Sequence, residues 1–147
     1  MPHLTADSAP RFENDHAIFI GLAAPSRGST ENSAWRLTLK PGIDAPAHAL
    51  DREEIFIALS GTMTVTMGDE TFTVTAGDAL IVPAYQQFAM STPSDEPFEA
   101  IVVLPVADRD SSPAPHRRPL GPLTPIEIQP VPDSRFRARF SSPGGSA

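Results

Sequence analysis

Through the middle of the chain apolar and polar residues alternate one for one. In Thr62–Met67 ("TMTVTM") Met63, Val65 and Met67 alternate with threonines, and in 71–75 ("TFTVT") Phe72 and Val74 do the same. A period of two places the apolar set on one face of an extended chain, so each run predicts a half-buried strand. The "GDE" between them, residues 68–70, supplies turn chemistry and joins the two into a hairpin. The same reading predicts strands over 17–22, 34–40, 54–59, 79–82, 88–91 and 98–104, bounded by Gly, Pro, Asn, Asp and Ser clusters. No stretch shows a helical period. Many short strands separated by turn signals predict an all-β antiparallel sandwich or small barrel.

The pattern ends at Leu104. Nine of the 17 prolines follow it, a density that prevents a regular central strand. We therefore divide the chain into a flexible N-terminus (1–11), a β-barrel (12–104) and a Pro-rich C-terminal arm with a disordered tail (105–147). Leu120, Leu123, Ile126, Ile128 and Val131 make part of the arm too apolar for a solvated linker. "TPIEIQPV" is expected either to pack as an edge strand on the barrel or to reach a partner subunit.

Composition narrows the function classes. A chain of 147 residues with 40% hydrophobic content suits one domain. The absence of cysteine removes disulfides, thiolate metal sites and cysteine nucleophiles. The N-terminus has no apolar signal core and no run of apolar residues is long enough to span a bilayer, so a cytoplasmic protein is expected. Abundant Arg, Ala and Pro beside a single lysine, Lys40, fit a GC-rich bacterial genome. Residues 1–104 carry five basic and fourteen acidic side chains, and the remainder six and four. So acidic a body argues against nucleic-acid binding, which needs a basic face.

Candidate chemistry lies in "PGIDAPAHALDREEIFIALSG" (41–61). Gly42, His48, Glu54 and Gly61 match, at every interval, the pattern G-x5-H-x-H-x3-E-x6-G, with Leu50 in place of the second histidine. Downstream, Gly77 and Pro83 fit G-x5-P-x-G-x2-H-x3-N, with Tyr85 replacing the glycine, Phe88 the histidine and Thr92 the asparagine. These two motifs resemble those of the cupin family. The resemblance implies a jelly-roll β-barrel and a homodimer. It also implies a metal held by the motif histidines and glutamate, yet leucine and phenylalanine offer no lone pair and such sites need at least three donors. Neither the ordinary metal site nor another cofactor is therefore expected.

Alternation points His48 and Leu50 into the barrel together, with Glu54 reaching the same space from the next strand. With Phe88 added, the space becomes an apolar pocket with two polar groups, the usual form of a small-molecule site. We take His48 and Glu54 as a catalytic general acid and base, and Trp35, Leu50, Phe56, Tyr85 and Phe88 as substrate-binding. The expected function is a metal-free isomerase, cyclase or lyase acting on a small organic molecule. Two alternatives stay open. In one, His48 and Glu54 form a buried polar pair in a non-catalytic binding or sensing module. In the other, Tyr85, Gln86, Glu53, His3, His16 or His116 completes an atypical metal site of dioxygenase type. Trp35, at period two with Leu37 and Leu39, also reads as core. "RFRARF" (135–140) reads more simply as a tail docked on an acidic surface than as a nucleic-acid strip.

Overall fold

The computed structural model describes residues 2–106 and 128–129. Its strands are β1 (Arg11–Glu13), β2 (Ala17–Ala23), β3 (Asn32–Leu39), β4 (Ala49–Leu50), β5 (Glu54–Ser60), β6 (Thr62–Met67), β7 (Glu70–Thr75), β8 (Ala79–Val82), β9 (Phe88–Ser91), β10 (Phe98–Pro105) and β11 (Ile128–Gln129). The eight strands expected from alternation are all present, and their ends move by no more than two residues. The pattern did not reveal β1, β4 and β11, because two or three residues are too few to display a period. Helical structure among the described residues consists of two single 3-10 turns, Ala6–Ser8 and Pro25–Arg27.

Six strands form one sheet in the order β1-β2-β3-β10-β5-β8, and three form a second, β7-β6-β9. All of these pairings are antiparallel. β10 is inserted between β3 and β5, pairing Val102 with both Trp35 and Phe56. Such a strand order, built from long crossings between two facing sheets, is a jelly roll. The inner faces share one core: Trp35, Leu37, Leu39, Phe56, Ala58 and Val102 of the larger sheet belong to the same buried cluster as Met63, Val65, Val74 and Phe88 of the smaller. Phe72 departs from the expected inward set and is 37% exposed. It lies on β7, the edge of the smaller sheet, where the partner on only one side leaves its apolar face incompletely covered.

The 3-10 turn and the start of β1 fall within the stretch expected as a flexible N-terminus. Arg27 ties that turn down by donating to the Ser8 carbonyl oxygen (2.6 Å) and to Ser8 Oγ (3.1 Å). At the other end, β11 pairs parallel with β4, Ile128 opposite Ala49 and Gln129 opposite Leu50. Ile128 and Gln129, the described residues of "TPIEIQPV", thus add a short strand alongside β4 of their own chain. The other expectations for the arm and tail concern 107–127 and 130–147 and lie outside the described residues.

Candidate active site

The segment ahead of β4 runs along the free edge of β9. The Ala45 amide donates to the Met90 carbonyl oxygen (2.9 Å), Thr92 to Ile43 (3.0 Å), and His48 and Phe88 exchange both backbone bonds (3.0 and 2.9 Å). His48 and Phe88 are therefore direct cross-strand partners. Their rings meet with centroids 4.4 Å apart at an interplanar angle of 50°. Phe88 in turn meets Phe56 edge-on, at 6.0 Å and 73°, a favoured aromatic geometry. Because Phe56 and Glu54 are two residues apart and both buried on the inner side of β5, the chain His48, Phe88, Phe56, Glu54 links the two polar groups across one apolar interior.

The depth of each group differs. Leu50, Phe56 and Phe88 are 1–2% exposed, Trp35 3%. All four belong to the common core, so the surfaces expected to meet a substrate are closely covered by neighbouring side chains. Glu54, at 2% exposure, is the sole charged residue among the buried described residues. His48 is half-buried, with Nδ1 3.4 Å from the Pro46 carbonyl oxygen. A proton on Nδ1 shared with that carbonyl leaves Nε2 as the acceptor. Tyr85, 39% exposed, stands at the rim. Its amide donates to the Leu50 carbonyl oxygen at 2.6 Å, fixing the loop before β9 onto β4.

Two residues that break the second motif take backbone-fixing positions in this chain. Tyr85 takes φ +64°, the one positive φ among the described non-glycine residues, at the position where the motif places glycine. A tyrosine there costs about 1–2 kcal/mol relative to an ordinary backbone conformation. Thr92, at the motif's asparagine position, is 2% exposed. Its hydroxyl donates to the Lys40 carbonyl oxygen (2.7 Å) and accepts from the Ile43 amide (2.9 Å), closing the turn that contains Gly42. Reasoning on side-chain chemistry overlooked Thr92. The signal available was its motif position.

The ligand set that the fold family implies does not fit these residues. Leu50 and Phe88 occupy the two replaced histidine positions and supply no donor. Among the described residues no three His, Cys, Asp or Glu side chains come together as a metal-binding group. Of the substitute donors, Glu53, His3 and His16 are exposed, and Gln86 is half-buried. His116 lies outside the described residues.

A β jelly roll with a glycine-bounded histidine and glutamate between two facing sheets defines the cupin class, and comparison with known proteins gives the same class. Residues 35–104 match the family described as "Cupin domain", and this part of the chain is a cupin domain. Over 84 residues, 57% of this chain, it is 32% identical to auxin-binding protein 5 of Zea mays, covering 54% of that protein. Over 69 residues, 46% of the chain, it is 35% identical to a mannose-1-phosphate guanylyltransferase of Salmonella muenchen, covering 15% of that protein. The chain thus spans about half of the first relative and a small part of the second. The polyketide cyclase RemF from Streptomyces resistomycificus superposes with a TM-score of 0.64 at 18% identity, over 71% of this chain and 79% of that one. At that identity the likeness is one of fold. No helix among the described residues is long and apolar enough to cross a membrane.

Proposed function

We propose that this cupin binds a small organic molecule at the His48 end of its barrel and acts on it as an isomerase, cyclase or lyase, with His48 and Glu54 as general acid and base. The observation that carries this reading is Glu54. A carboxyl 2% exposed inside an apolar core is costly to keep there, and a leucine or methionine at that position would pack at less expense. A buried carboxyl facing the same apolar interior as a half-buried histidine is an arrangement suited to acid–base chemistry on a desolvated substrate. With no donor at Leu50 or Phe88, proton transfer is the chemistry these side chains offer. One route common to the proposed classes begins when one group takes a proton from a carbon beside a carbonyl while a second group donates a proton to the carbonyl oxygen. Leu50, Phe56, Phe88 and Trp35 favour a largely apolar ligand. Their close covering means that it enters by displacing side chains near His48 and Tyr85.

A thermal-shift screen of small aromatic and carbonyl compounds, followed by NMR of each hit in heavy water, tests this. Deuterium incorporation or conversion is expected with the parent protein. It should fall on the order of a hundredfold or more in His48→Ala and in Glu54→Gln. Full activity in both variants would remove the assignment. The second reading, a binding module, draws on the auxin-binding relatives. It predicts hits that bind without any conversion and whose affinity alone changes in the two variants.

A further inference from the structure

One short loop joins the two halves of the candidate site. Val82, the last residue of β8, pairs with Glu54, and Phe88, the first residue of β9, pairs with His48. Residues 83–87 ("PAYQQ") run between them. They carry no charge and belong to no strand; Pro83, Ala84 and Tyr85 are exposed, and Gln86 and Gln87 half-buried. The loop folds as a β-turn in which the Gln86 amide donates to the Pro83 carbonyl oxygen at 3.2 Å. Tyr85 is the third residue of that turn and holds φ +64°, a requirement that favours glycine there. The bond from the Tyr85 amide to the Leu50 carbonyl oxygen, 2.6 Å, lays the turn on β4. Leu50, Val82 and Phe88, which bound the loop, are all buried.

We propose that 83–87 is a lid: its release from Leu50 opens the interior that holds Glu54, and the left-handed tyrosine keeps that release easy. The inference rests on the reading that a ligand enters at the His48 end. A molecule reaches side chains as deeply covered as Leu50 and Phe88 only when a covering segment moves. Local opening falls to segments with few buried contacts and few internal backbone bonds. β5, β8 and β9 are held by their strand pairings. The other connection at this end, 51–53, is three residues long and cannot swing without carrying Leu50 or Glu54 with it. In the loop 83–87, by contrast, opening relieves a cost. A tyrosine in the left-handed region disfavours the closed form, so the lid opens more often than the glycine of the motif would allow.

Because the chain has no cysteine, a single introduced thiol reports the opening without interference. In the full chain, Leu50→Cys is expected to react with methyl methanethiosulfonate at least about a hundredfold faster than Met63→Cys, which is completely buried at the opposite end of β5 from Glu54, beside Gly61. In the unsubstituted chain, hydrogen exchange at the Tyr85 and Gln86 amides should outpace exchange at Val65 and Val102 by a similar factor. It should also change little in dilute urea, as an opening that exposes little surface does. Added to Leu50→Cys, Tyr85→Gly and Tyr85→Ala both remove the phenol, and only alanine keeps the backbone cost. Labelling is therefore expected to be roughly fivefold slower with glycine than with alanine. Should Leu50→Cys fail to fold by circular dichroism, Val82→Cys takes its place. A folded thiol variant that labels no faster than Met63→Cys, or equally in the two Tyr85 backgrounds, overturns the lid. So does exchange at Tyr85 that responds to urea as the core amides do. None of these readouts uses turnover: rapid Leu50→Cys labelling in a protein that converts no compound supports the lid and removes only the acid–base reading.

Discussion

At Tyr85 and Thr92 the residue type departs from the motif, yet Tyr85 takes a positive φ at the motif's glycine position and Thr92 clasps the turn that contains Gly42. Phe88 lies between them in the chain and meets His48 ring to ring. Motif spacing makes Leu50 and Phe88 the positional equivalents of the two replaced histidines, and the equivalence can be tested directly. Leu50→His together with Phe88→His sets three imidazoles and Glu54 in one interior, a ligand set for zinc, iron, manganese or nickel. Phe88→His alone should lower stability by a few kcal/mol, since it removes ring contacts from a site 1% exposed and buries a polar ring. Metal content after dialysis against trace divalent ion is expected to be near stoichiometric in the double variant and low in the parent and both single variants. Added zinc should raise the melting temperature of the double variant only. A folded double variant that stays empty would mean that the two positions do not converge on His48.

Among the elements, the β5–β6 connection shows how a motif glycine serves geometry rather than chemistry. Gly61 turns the chain from the larger sheet to the smaller at φ +76°, and a Cβ there would run into the Pro97 carbonyl oxygen and lie 2.9 Å from Phe98 Cα. Both are backbone atoms, with no flexible end to swing away. Phe98 begins β10 and is completely buried, so relief of the clash would displace the strand at the centre of the six-stranded sheet. Gly61→Ala should therefore cost more than the about 1–2 kcal/mol of a left-handed alanine alone. Gly42→Ala is the control: φ is +66° with nothing within 4 Å of the added carbon, and only the conformational cost applies. Urea midpoints of the two variants measure the difference, and equal losses would mean that the Gly61 contact relaxes freely.

For the molecule as a whole, stability should fall on the acid side partly through Glu99, which joins β10 to β3 and β5. The hydrogen bond from Arg36 holds its carboxyl below the usual range, with Ser60 and Thr38 adding and partial burial opposing. A carboxyl depressed in the folded state contributes stability above its unfolded value, and that contribution is lost as the pH falls through the folded value. Glu99→Gln should thus lower stability near neutrality and flatten the decline that sets in as the pH falls below the ordinary glutamate value of 4.5. The pair is partly solvated, so the effect is a few tenths to about 1 kcal/mol. Identical pH profiles of parent and variant would show that the pair contributes nothing. The extent of most strands was legible in the sequence because period-two alternation and turn residues are local properties, and the positions of His48 and Glu54 were legible because motif spacing is a count along the chain. β4 and β11 were not legible: they are strands only by virtue of pairing with each other. Nor was the direction of β5. From Ile55 to Leu59 every residue is apolar, so the pattern does not say which alternate set is inside, and a shift of one residue would exchange them. Only the pairing of β5 between β10 and β8 decides that Glu54, Phe56 and Ala58 face the core while Ile57 and Leu59 face outward. The candidate acid–base group and the exposed Ile57 and Leu59 are thus on opposite sides of one strand, separated by tertiary pairing because the local sequence is apolar on both.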